Sequence, residues 1–123
     1  MTPLHLAAYF KSSVTVVSTL VRAGGNVNAL DSYQDSPLHL ASEMNPAIVP
    51  VLIGAGCKVN LLDKAQCSPL FLAAAWSKDR SAVTALMRAA ADPHLGSSPL
   101  THPNVSNEMK DFIRSLSKKY HQR

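Results

Sequence analysis

The chain has 123 residues, 46% of them hydrophobic and 16% charged, with a formal charge of +4. This balance predicts one globular domain and excludes a disordered chain, while no apolar run reaches the roughly 18 to 20 residues that span a bilayer. The N-terminus lacks a basic segment followed by an apolar stretch and a small-residue cleavage site, and two cysteines give no disulfide framework, so an intracellular protein in a reducing compartment is expected.

The charge is unevenly placed. Residues 1–101 hold seven Lys/Arg against six Asp/Glu, whereas residues 102–123 hold five against two. A basic tail on a nearly neutral body weakens any case for a broad nucleic-acid-binding face.

In chain order, Thr2 is placed to cap a helix and Pro3 suits its first turn, where a missing N–H costs nothing. Leu4, Leu6, Ala7 and Ala8 form a short helix of mostly small residues. Lys11-Ser-Ser breaks it, and a second helix is predicted over Val14–Ala23, with Val16, Val17, Leu20 and Val21 as a buried stripe. Gly24-Gly25 ends that helix. Ser32-Tyr-Gln-Asp then forms a turn tip that leads into a second cap and helix, Ser36–Met44. Ala47–Ala55 follows as another helix, and Pro50 is tolerable if this helix starts late, near Asn45-Pro46. A third pair runs from Ser68-Pro69 to Ala91, with a longer inter-helix loop at Ser77-Lys-Asp-Arg-Ser and a stunted turn after it. The pattern then breaks at Pro103. A last helix is capped by Ser106 and carries Met109, Phe112, Ile113 and Leu116 on one face.

One stretch recurs through this order. Thr2-Pro-Leu-His-Leu-Ala-Ala returns as Ser36-Pro-Leu-His-Leu-Ala-Ser and Ser68-Pro-Leu-Phe-Leu-Ala-Ala, then fades at Ser98-Ser-Pro-Leu-Thr. The prolines Pro3, Pro37, Pro69 and Pro99 are spaced by 34, 32 and 30 residues. A repeat near 33 residues carrying T-P-L-H-x-A resembles the ankyrin-repeat family. The resemblance implies an all-α solenoid of stacked helix-turn-helix units with turn or β-hairpin fingers. It divides the single domain 1–123 into repeats at about 1–35, 36–67 and 68–97, with a degenerate C-terminal capping unit at 98–120. The last helix has the polar outer face a terminal unit needs. No equivalent cap precedes Leu4 and Leu6, so either the chain is a segment of a longer array or its first unit is frayed.

No residue pattern points to catalysis, a cofactor or a metal. His5 and His39 occupy the same place in successive units, where the family uses the imidazole to brace the cap and nearby backbone. Two stacked histidines could bind a metal, but no Cys or Asp partners stand at fixed spacing, and Phe71 and Thr101 replace the histidine later. His94, His102 and His121 read as solvated loop residues. Cys57 and Cys67 have nine residues between them and no adjacent His, which favours free thiols over a nucleophile or zinc pair. Nucleotide-binding, zinc-protease and serine-hydrolase motifs are absent.

The resemblance implies a protein partner, met at the turn tips and at the exposed end of each first helix. The positions after each Leu-Ala-Ala core are Tyr9/Phe10, Glu43/Met44 and Ala75/Trp76. Phe10, Met44 and Trp76 are therefore expected in register, either as a binding stripe or as extra core beneath the turns. Tyr33, Asp35 and Lys64 border this row. Gln34 and Gln66 stand where the family usually has Gly, which predicts less regular tips. Asn28 and Asn60, each eight residues after a leucine, resemble substrates of an asparaginyl hydroxylase, although bracing of the turn is the favoured role. The expectation is a monomeric, non-enzymatic scaffold or adaptor. The rival is an acidic surface or nucleic acid held by Lys110, Arg114, Lys118, Lys119 and Arg123.

Overall fold

A computed structural model describes residues 1–121. Among them the chain is all-helical. It forms α1 (Pro3–Tyr9), α2 (Val14–Arg22), α3 (Pro37–Met44), α4 (Val49–Gly54), α5 (Pro69–Leu72), α6 (Arg80–Arg88) and α7 (Asn107–His121), with a 3₁₀ turn at Pro46–Ile48 and a π-helix at Ala73–Ser77. No helix is long and apolar enough to cross a membrane among the described residues.

The helices stack in two layers. In the inner layer α1 packs on α3 and α3 on α5, while α2, α4 and α6 form the outer layer, and α7 closes against α6. Small residues permit this close approach: Ala7, Ala8, Ala41, Ala73, Ala74 and Ala75 are buried between the inner helices. Leu4, Leu38 and Leu70 point into the core, where they meet Val17, Leu52 and Leu86 of the outer layer.

Each inner helix begins the same way. The hydroxyls of Thr2, Ser36 and Ser68 accept the backbone N–H groups of His5, His39 and Phe71, and a proline occupies the next position. This satisfies one of the orphan donors of a helix start without asking proline for an N–H. Pro50 is accommodated as its sequence position requires, because α4 starts only at Val49.

Three expectations need correction. Val16 is 46% exposed and only Val17 of the α2 stripe is buried, with Leu20 and Val21 half-covered, because nothing in the described chain packs on that side of α2. Of the two forms expected for the fingers, turns are the ones realised, and no strand forms among the described residues: each tip closes on a single carboxylate without a ladder. The extra residue of the third pair does not lengthen a loop. It is wound into the π-helix at Ala73–Ser77, so that Lys78 alone separates this segment from the Asp79 cap of α6. His102 lies in a loop as expected but is half-buried, edge-on against Phe71 with ring centroids 4.9 Å apart, and His121, expected in a loop, ends α7.

The tips are more regular than their glutamines suggested. Asp31 Oδ1 accepts the N–H groups of Tyr33 and Asp35, and Asp63 Oδ1 accepts those of Ala65 and Cys67 in the same pattern. Gln34 and Gln66 take φ values of 61° and 64° to complete these turns. The tips also join one another: Lys64 N–H donates to Tyr33 O at 3.0 Å and Ser97 N–H to Gln66 O at 2.9 Å. In the stunted third turn Gly96 runs so close to the Gln66 carbonyl and Leu62 that any Cβ there would collide with them. Only glycine fits this approach.

Candidate interaction surface

Three sets of side chains staple each helix pair to the next, and they explain most of the polar residues singled out in the sequence. The first set is the histidines. Thr2 and Ser36 donate their N–H groups to Nδ1 of His5 and His39, which fixes Nδ1 as an acceptor and leaves the proton on Nε2. His5 Nε2–H then donates to Asp35 O at 2.8 Å, and His39 Nε2–H to Leu61 O and Cys67 O, each at 3.0 Å. Both imidazoles are wholly buried. Burial lowers the pKa of His39 below its ordinary value, in keeping with a neutral ring whose two nitrogens are already committed.

The second set is the asparagines. Asn28 Oδ1 accepts the Lys58 N–H at 2.8 Å. Asn60 Oδ1 accepts the Asp92 N–H at 2.8 Å while its Nδ2 donates to Ala90 O at 3.1 Å. Each side chain thus reaches across to the turn after the next outer helix. The third set has no signal in the sequence: Asn45 Nδ2 donates to Ser12 O, and Asn104 Nδ2 donates to Ala75 O.

Between the two tips lies the most unusual electrostatic arrangement. Potential ligand atoms of Asp35, His39 and Asp63 lie within 4.8 Å of one another. Ligation of a metal would take a nitrogen of His39 away from its staples, so the donor set does not suit a resident ion. Desolvation, followed by a hydrogen bond to Asp63 and the charges of Asp63, Asp31 and Glu43, raises the pKa of Asp35 to about 8. Its buried Oδ1 has no hydrogen-bond partner. The thiols are equally unsuited to chemistry, since burial pushes both Cys57 and Cys67 up to about 11.

At the C-terminal ends of the inner helices the side chains turn outward. Phe10, the residue after α1, is 69% exposed and Trp76, in the π-helix, is 56% exposed. Met44, the last residue of α3, and the neighbouring Glu43 are half-buried. Tyr9 remains exposed and meets Phe10 edge-on, with ring centroids 5.0 Å apart. Among the bordering positions, Tyr33 is 69% exposed and Lys64 is exposed, whereas Asp35 is half-buried and occupied with its neighbours.

The basic helix is partly consumed by its own contacts. Arg114 pairs with Asp111 at 3.1 Å, Lys119 Nζ lies 5.4 Å over the Tyr120 ring, and Lys110 is half-buried. Lys118 is exposed, and Arg123 lies outside the described residues.

Comparison with known proteins agrees with this geometry. A family profile described as ankyrin repeats (3 copies) matches residues 1–63, which is 63 of the 123 residues. A 41-residue stretch, 33% of the chain, is 54% identical to the nuclear factor NF-kappa-B p105 subunit of Gallus gallus, of whose length it spans 4%. With the capped Pro-Leu-His helices, the two stacked layers and the linked turn tips, this match shows that the chain belongs to the ankyrin-repeat family.

Proposed function

We propose that this protein is a non-enzymatic interaction module that receives a folded or peptide partner protein on the row Tyr9, Phe10, Glu43, Met44 and Trp76, bordered by Tyr33, Asp35 and Lys64. The observation that carries this reading is the exposure of Phe10 and Trp76 at equivalent ends of stacked inner helices whose polar groups are otherwise spent on the scaffold. Large aromatic groups cost little side-chain entropy to order and remove much apolar area from water, which is why they dominate interface energetics. The mechanism is burial and shape complementarity, without turnover. As a scaffold or adaptor the chain acts as a monomer inside the cell, and its basic last helix closes the stack.

Asn28 and Asn60 are staples in this reading. A hydroxylase acting on either would have to draw the turn out of its bonds to the neighbouring pair, so modification belongs to an opened chain.

Affinity capture from cell extract, followed by mass spectrometry, tests the row with wild type beside a Phe10→Ala/Trp76→Ala variant of matched helicity. Truncating two such side chains at a true interface costs about 2 kcal/mol or more, a loss of roughly thirtyfold in affinity. Equal recovery of the same partners by both proteins would sink the reading.

A further inference from the structure

The outer layer contains a groove that none of the staples uses. It lies between α4 and α6, has a volume of about 610 Å³, and is floored by Pro50, Ile53 and Ala85. Arg80 and Arg88 stand on its α6 rim, two helical turns apart, or about 12 Å along the axis.

Among the described residues no carboxylate pairs with these two arginines, which are held by aromatic rings instead. The guanidinium of Arg80 lies 4.8 Å over the ring of Phe112. That of Arg88 lies 5.7 Å over Tyr120 and donates to its hydroxyl at 3.3 Å. Stacking of this kind fixes the planar fork yet leaves most of its five N–H donors free. The one ion pair among the described residues is elsewhere, between Arg114 and Asp111. Two pre-positioned cations beside an apolar floor are complementary to carboxylates carried by an apolar segment.

The shape of the occupant follows from what α6 does on its other flank. There it already takes α7, which presents Phe112 and Tyr120 to the same two arginines at the same two-turn interval. A second helix laid between α4 and α6 would use the ridge-and-groove surface that α6 offers on this side.

We infer that this groove docks an acidic amphipathic helix of a partner protein, with small apolar residues on the floor and carboxylates seven or eight residues apart reaching Arg80 and Arg88. The site lies on the outer layer and shares no residue with the row of Phe10, Met44 and Trp76, so the two surfaces can be occupied together.

The test uses the full chain and a fluorescein-labelled 18-residue helical peptide with an alanine-rich face and glutamates at its fifth and twelfth positions. A control peptide has glutamine at both. Anisotropy titration is expected to show the glutamate peptide binding at least about tenfold more tightly, with an advantage that shrinks as salt is added. Amide chemical-shift changes should fall on α4 and α6. Ser81→Glu places a carboxylate at the exposed start of α6, where it suits the helix dipole, so it should weaken binding by about tenfold with no loss of helicity. Arg80→Gln/Arg88→Gln should do the same. Phe10→Ala/Trp76→Ala should bind this peptide as wild type does, which separates failure here from failure of the inner-row reading. Equal binding of the two peptides, no binding at about 1 mM, or shifts confined to the inner helix ends would overturn the proposal.

Discussion

Replacing His39 by alanine tests the staple logic most directly. The ring is wholly buried, and its removal strips Leu61 O of its donor and the buried Ser36 N–H of its acceptor, while Cys67 O keeps only the Asp63 N–H. Orphaned buried polar groups cost about 1–3 kcal/mol each when water cannot reach them, and the vacated ring leaves a cavity as well. A total of roughly 3–5 kcal/mol is expected, a large share of the 5–15 kcal/mol typical of whole domains. His5→Ala should cost less, roughly 1–2 kcal/mol, because His5 serves one carbonyl and its Thr2 partner is only half-buried. Urea unfolding followed by far-UV circular dichroism and by the fluorescence of Trp76 gives both values and reveals whether the pairs unfold together. The reasoning is refuted if His39→Ala loses less than about 1 kcal/mol, or if the two variants are equally destabilised. A pH series adds a second reading. Burial lowers the pKa of His39 from 6.5, so its contribution is complete above about 6.5 and is lost as pH falls through the lower folded value. The stability gap between wild type and His39→Phe should therefore narrow from pH 7 to pH 5, since phenylalanine cannot titrate.

Asp35 carries the opposite sign. Its pKa is raised from 3.8 to about 8, so the native state holds a proton that the unfolded chain releases, and its contribution is lost as pH rises through this range. Asp35→Asn is expected to raise the urea midpoint at pH 8 and to change it little at pH 4, whereas a variant less stable than wild type at both would contradict the proton-sharing picture with Asp63. Asn60→Ala should cost about 1–2 kcal/mol, and the Asp92 amide, which loses its acceptor, should exchange hydrogen markedly faster while the Lys58 amide on Asn28 does not. Ala90 has a φ of 70° at the position where Gly24 and Gly56 follow the earlier outer helices, so Ala90→Gly should stabilise the protein by about 0.5–1 kcal/mol in thermal unfolding; a loss would show that the left-handed turn is unstrained.

Much of the scaffold was legible because its signals are local. A hydroxyl followed directly by proline and leucine specifies a capped helix start, and three copies at nearly equal spacing specify stacking. The late start of α4 followed in the same way from Pro50. The last helix was readable from its four apolar positions, and Met109, Ile113 and Leu116 are indeed buried there. Errors arose where a neighbour decides the outcome. Val16 has an apolar side chain at helical spacing, yet burial requires a surface to pack against, and no part of the described chain supplies one. Gln34 and Gln66 were expected to disturb the tips, but the carboxylates of Asp31 and Asp63 each collect two backbone N–H groups, and this outweighs the modest cost of a positive φ.

The sequence by itself determined the helix pairs, their caps and the row of residues after each Leu-Ala-Ala core, because these depend on spacing along a single chain. Tertiary structure decided everything that spans two pairs. It set the reach of Asn60 to Asp92 and of His39 to the next tip, and it brought Asp35 and Asp63 together across more than one turn. It also placed Arg80 and Arg88 on Phe112 and Tyr120. Such contacts join residues about thirty positions apart, and the strength of each depends on burial and direction, which no one-dimensional pattern carries.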